Sequence, residues 1–134
     1  MSNEAVLKVE THLPINFTCS TTATIEKGAI LKNTDPMTAV LSDTVNQIVA
    51  GIAATEKLAA ETSQDSVAVY RGGIFRVKCS GACAVGTSVV TSNVANYVEL
   101  AGTNSENILG IMLETAANGE TKLMELRPTR MELA

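Results

Sequence analysis

A single histidine, three cysteines and fourteen acidic residues are the groups from which this 134-residue chain could assemble chemistry. Nucleophilic hydrolysis needs a base held against a hydroxyl or thiol. The one histidine, His12, stands in an N-terminal arm beside Leu13-Pro14, where an incidental, solvated imidazole is the expectation. Cys79 and Cys83 are spaced C-x3-C, not the C-x2-C of zinc knuckles. With Cys19 they make an odd set that cannot all pair in one chain, so all three are expected to be small buried hydrophobes. Glu56, Glu61 and Asp65 fall in one loop, and Glu114 and Glu120 in another. Neither loop has the alternating acid-and-glycine order of a calcium loop, and solvated acids are the expectation. Phosphate cradles are absent, and Gly81 and Gly86 around Cys83 read as a turn. No catalytic residue, cofactor-binding residue or metal ligand is assigned, no cofactor is expected, and the chain reads as a non-enzyme.

Charge excludes further classes. The net charge is −4, and the ten basic residues are scattered. Two Phe, two Tyr and no Trp offer little to stack on bases, so neither a cationic footprint nor an aromatic platform for nucleic acid is present. No apolar run approaches the roughly 20 residues that span a bilayer, and the N-terminus lacks the basic and apolar regions of a signal peptide. The expectation is a protein made in a reducing compartment and released, if at all, by lysis, with no nucleic-acid or membrane partner. Only 18% of residues are charged, which is low against the usual quarter and common in proteins partly covered by partner subunits.

The elements that would carry these groups read as strands. Apolar residues make up 46%, and sixteen Thr with thirteen Val favour a pleated surface. Residues 1–14 read as an arm, loose by default, whose Val6, Leu7 and Val9 could add a strand to a neighbour's sheet. Strands are expected at about 15–19, 23–26, 29–32, 45–54, 67–70, 74–78, 88–91, 96–101 and 108–114, with a turn at Asn33–Pro36. Residues 54–62 hold helix formers over barely two turns, enough for a short helix. Gly72-Gly73 between two alternating runs reads as a tight hairpin. Pro128-Thr129 reads as a turn between Leu123–Leu126 and Met131–Leu133. Ten or eleven short strands at regular spacing describe a compact all-β domain over residues 15–134, a small β-barrel or β-sandwich with at most one or two short helices.

The chain also matches itself. Ile25-Glu-Lys-Gly28-Ala-Ile-Leu31 compares with Ala84-Val-Gly86-Thr-Ser-Val89, and Val49-Ala-Gly51-Ile52 with Leu109-Gly110-Ile111. Val67-Ala-Val69-Tyr70-Arg71 compares with Leu123-Met-Glu-Leu126-Arg127, and Phe17 with its Cys19-Ser20 with Phe75 and the later Cys79-Ser80. Two copies, at about 17–71 and 75–127, are too few for a solenoid. They predict closure of two halves into one barrel or sandwich, with Cys19 and Cys79 filled for packing.

Across Gly51-Ile52-Ala-Ala-Thr55 and Val67-Ala-Val69-Tyr70-Arg71-Gly72-Gly73-Ile74-Phe75, with Ala84-Val-Gly86-Thr87 and Ile108-Leu-Gly110-Ile111 in the second copy, the sequence resembles bacteriophage capsid decoration (cement) proteins of the lambda head-decoration kind. The resemblance covers roughly residues 17–127. It implies a β-tulip-like or β-clip-like small barrel, a homotrimer on the outer capsid surface, and the major capsid protein as partner. The implied task is mechanical: to clamp neighbouring capsomers of the virion after synthesis in the host cytoplasm. Val6, Leu7 and Val9 are the candidate capsid contacts. Two alternatives stay open, a small-ligand-binding enzyme module of β-clip type and a tail or fibre adaptor subunit.

Overall fold

Apolar and polar residues alternate along Gly73-Ile-Phe-Arg-Val-Lys-Cys79, and every second side chain is buried. That period of two is what a strand with one face on a core requires. The computed structural model describes residues 4–102 and 106–131 and is all-β in them. Its strands are β1 Val6–Val9, β2 Ile15–Thr18, β3 Ile30–Asp35, β4 Thr38–Leu41, β5 Val49–Ala53, β6 Ser66–Tyr70, β7 Gly73–Cys79, β8 Ser88–Thr91, β9 Tyr97–Leu100, β10 Glu106–Met112 and β11 Thr121–Met131. The expected strand at 23–26 is reduced to one bridge, Ile25 to Lys57.

Strands β2-β4-β3-β5-β6 form a closed barrel. All its pairings are antiparallel except β2–β4, which is parallel at Thr18–Thr38. The following strands repeat the scheme. β7 pairs with β11, β11 with β10, β10 with β8 and β8 with β9, and a parallel β7–β9 contact at Lys78–Tyr97 closes the ring. The barrel therefore closes within each set of five strands, rather than from two halves as the sequence match predicts. Five strands of tight twist suffice for a ring whose interior is filled by side chains.

The two interiors correspond position by position. Cys19 N–H donates to Asp65 O at 2.8 Å, and Cys79 N–H to Glu120 O at 3.0 Å. Ile25 bridges Lys57 where Cys83 bridges Ala116. Gly28 and Gly86 both turn at positive φ. In the first barrel Phe17, Leu31, Ala50 and Ala53 are buried, and in the second Val77, Val89, Leu109 and Met112 take their places. Larger side chains on one wall are offset by smaller ones on the other, which conserves core volume while sequence identity disappears. The pairing places Phe17 with Val77 and Val69 with Met124. The residue-type matches, Phe17 with Phe75 and Val69 with Glu125, are each out of register.

Three other expectations are corrected. Among the described residues β6 pairs only with β2 and β5, and β7 only with β1, β9 and β11. Gly72-Gly73 is therefore not a hairpin but the crossing from one barrel to the next. No room remains for Cβ atoms there, because one on Gly72 would run into the His12 ring, and Gly73 lies at φ +125°. The helix expected at 54–62 is instead bends and turns, since two turns of helix are too short to outcompete the Ile25–Lys57 bridge. Pro128 lies inside β11 at a bulge, where the one residue of β10 between Ile108 and Gly110 faces the two of β11 between Leu126 and Thr129. A bulge leaves a backbone group unpaired, so the missing N–H of proline costs nothing.

The second core joins the barrels. Ile30, Val49 and Ile52 on the outside of the first barrel pack with Phe75, Leu126 and the second interior. This explains why every residue of β5 is buried: one face lines its own barrel and the other meets its neighbour. Polar bonds complete the joint. Ile30 N–H donates to Asn96 Oδ1 at 3.2 Å, Gln47 N–H to Thr91 Oγ1 at 2.9 Å, and Asn107 N–H to Asn46 Oδ1 at 2.7 Å.

Candidate functional site

The groups that could do chemistry are occupied by structure. Burial pushes the Cys79 thiol up to about 12, with contact to Cys83 and the charge of Glu120 adding to it. Burial likewise raises Cys19 and Cys83. Protonated thiols in apolar surroundings are poor nucleophiles and poor metal ligands. Three of the five loop acids bond to nearby backbone. Glu61 Oε1 accepts from Leu58 N–H at 3.3 Å, Glu120 Oε1 from Ala117 N–H at 2.8 Å, and Glu114 Oε1 from Leu123 N–H at 3.0 Å. Among the described residues no three His, Cys, Asp or Glu side chains gather as a metal-sized group. His12 is exposed, and its Nδ1 lies 2.8 Å from Thr11 Oγ1.

One chemically notable residue is absent from the sequence reading. Lys57 is fully buried, and its ammonium donates to the carbonyls of Thr21 at 2.6 Å, Leu58 at 2.9 Å, Ala23 at 3.1 Å and Glu61 at 3.4 Å. The chain between Gly51 and Val67 is longer than its counterpart in the second barrel, where Ala116 stands in place of Lys57. The extra turn brings carbonyls inward that no strand can satisfy, and the ammonium satisfies them. Its only sequence signal is a lone Lys in an apolar neighbourhood, which a helix assignment explains equally well.

The candidate site is a surface. The arm is not loose over residues 4–10. β1 pairs antiparallel with β7, setting Val6 against Arg76 and Leu7 against Phe75. Glu10 accepts from Tyr70 Oη–H at 3.1 Å, and Asn96 Nδ2 donates to Glu4 Oε2 at 3.1 Å. Leu7 packs against the shared core, so of the three candidate contacts only Val6 and Val9 face outward, at 53% and 48% exposure. Beside β1 runs a groove of about 520 Å³ lined by Glu4, Ala5, Val6, Leu7, Lys27 and Tyr70. A second hollow of about 280 Å³ lies at the joint, lined by Ile48, Val49, Arg71, Asn107, Pro128 and Thr129. Arg71 spends an Nη1 donor there on Val49 O and Ala50 O, at 3.0 and 2.9 Å. Exposed Ile48, Met37, Val40 and Val45 continue the apolar surface around the first barrel.

No curated protein matches the chain. Among solved structures it is similar to the N base of the head fibre protein gp8.5 of bacteriophage phi29, with 12% identity and a TM-score of 0.56 over 90% of this chain and 98% of that one. That likeness supports the fold alone. The family described as phage cement protein matches residues 9–128, nearly the whole chain and both barrels, and the chain belongs to that family.

Proposed function

We propose that this phage structural protein binds the outer surface of the capsid and cements neighbouring capsomers, as a homotrimer assembled in the host cytoplasm and carried on the virion. The observation that supports this reading is the cement-family match over residues 9–128, on a chain whose three thiols are buried and whose buried lysine is bonded to backbone carbonyls. A clamp works through contact area, and many modest contacts per particle add by multivalency. Val6 and Val9 on the outer face of β1 are the proposed arm contacts, while Leu7 anchors the arm.

Removing the whole arm would strip Leu7 from Phe75 and test folding as much as binding. Val6→Asp with Val9→Asp leaves Leu7 in place. The test is co-sedimentation of wild type and this double variant with expanded empty heads, and challenge of the decorated heads by heat. Wild type should co-sediment and raise the rupture temperature of the heads, and the double variant should bind at least tenfold more weakly with its own melting temperature unchanged. Undiminished occupancy by the variant removes the arm from the interface. Light scattering should give a mass of three times 14.0 kDa.

A further inference from the structure

β7 is covered along one side by two different strands. β9 reaches only Lys78 and Cys79, and β1 covers Ile74, Phe75 and Arg76 beyond it. The equivalent stretch of the first barrel is Pro14 with Ile15 and Asn16 of β2, where β4 reaches only Thr18. Among the described residues no strand pairs with that stretch on the β4 side. Its backbone is turned to receive one. Cys19 N–H donates to Asp65 O, and Phe17 and Ile15 face Val67 and Val69 in the same register, so their backbone groups point to β6. Those of Asn16 and Thr18 point the opposite way. Thr18 N–H donates to Met37 O at 2.6 Å, and Asn16 N–H and C=O face the open edge.

The side chains carry the same asymmetry. Leu13 is 81%, Ile15 45% and Met37 48% exposed, whereas Phe75, which takes the place of Ile15, and Asn96, which takes the place of Met37, are each 1% exposed. An apolar, unpaired strand edge is an invitation to pair that a lone soluble chain would be expected to blunt.

We propose that this edge, residues 13–16 with Met37 beside it, docks an extended strand of the phage shell protein, antiparallel to β2 as β1 is to β7. The inference rests on the capsid-binding reading above. The occupant follows from counting: each chain has two such edges and one β1, so exchanging β1 between copies empties one edge for each it fills. Its chemistry follows from the substitutions between the barrels. Asn16 stands where Arg76 does, and Met37 where Asn96 holds Glu4. The docked strand therefore carries an apolar residue at the position where β1 carries Glu4.

Backbone hydrogen exchange of the full chain, free and bound to expanded empty heads, reads the edge directly. Asn16→Pro removes an N–H that the chain's own β2–β6 ladder does not use, and Met37→Glu places a charge where an apolar contact is expected. The Asn16 amide should exchange at least tenfold more slowly on heads, and each variant should bind at least tenfold more weakly with wild-type melting. If wild type binds heads but Asn16 exchange is unchanged, the edge is not the docking site, whatever the variants do. If wild type fails to bind heads, the capsid reading itself falls and this inference with it. Protection of Asn16 that rises with protein concentration in the absence of heads assigns the edge to a second copy and overturns the shell-protein assignment.

Discussion

Lys57 Nζ lies 2.6 Å from the carbonyl oxygen of Thr21, across the mouth of the first barrel, with three more carbonyls within 3.4 Å. The ammonium thereby ties the loop after β5 to the loop after β2. Lys57→Met keeps most of the stem volume and removes the charge-assisted bonds, leaving buried carbonyls unpaired. At about 1–3 kcal/mol for each orphaned group, partly relieved by water, the variant should lose about 3 kcal/mol or more in urea unfolding. A loss below about 1 kcal/mol would show that the carbonyls find other donors.

Base should unfold this protein earlier than its acidic composition implies. The Cys79 thiol is raised from 9.0 to about 12 by burial, then by Cys83 and Glu120. A folded value above the unfolded one means that the folded state holds the proton longer, so this stability is intact below about pH 9 and is lost as pH rises toward 12. The slope is at most about 1.4 kcal/mol per pH unit for one proton. Cys79→Ala, whatever its absolute stability, should show a shallower decline between pH 9 and 11 than wild type.

Gly51 and Gly110 should be far less tolerant than the open turn glycines Gly81, Gly86 and Gly119. A Cβ on Gly51 would collide with the Tyr70 carbonyl, and one on Gly110 with that of Glu125, while one on Gly119 meets nothing. Gly51 also sits at φ +145°. Gly51→Ala and Gly110→Ala should each cost more than about 3 kcal/mol by forcing backbone apart, against about 1–2 kcal/mol for Gly119→Ala, which meets only the positive-φ penalty. Thermal denaturation of the three variants, compared at one pH, decides it.

Asn96 joins both barrels and the arm, accepting from Ile30 N–H and donating to Glu4. Asn96→Ala leaves a buried amide unpaired and replaces a side chain that tolerates φ +69°. The variant should lose about 2 kcal/mol, with faster hydrogen exchange at Ile30. Exchange at Ile30 equal to wild type would mean that the apolar joint alone holds the barrels together.

Much of the fold was legible locally. The alternation in β7, the glycines at 28, 51 and 86 and the recurrence of Cys19 as Cys79 each follow from short-range rules: period two, positive φ and equivalent packing. What was illegible depended on partners distant in sequence. The run from Val67 through Gly72-Gly73 to Lys78 satisfies every local rule of a hairpin, yet both strands find better partners elsewhere. Lys57 looked like a helix-surface residue because its four acceptors come partly from a loop more than thirty residues away.

By itself, then, the sequence determined that the chain is all-β and twofold repetitive, because strand period and glycine placement are properties of neighbours along the chain. Tertiary structure alone decided that each copy closes its own barrel, that Leu7 packs partly buried against the shared core while Val6 and Val9 face outward, and that β2 keeps the edge that β7 gives to β1. Those outcomes depend on which of several compatible strands win each backbone ladder, and that competition is settled by burying β5 and Phe75 between two closed rings rather than by any local preference.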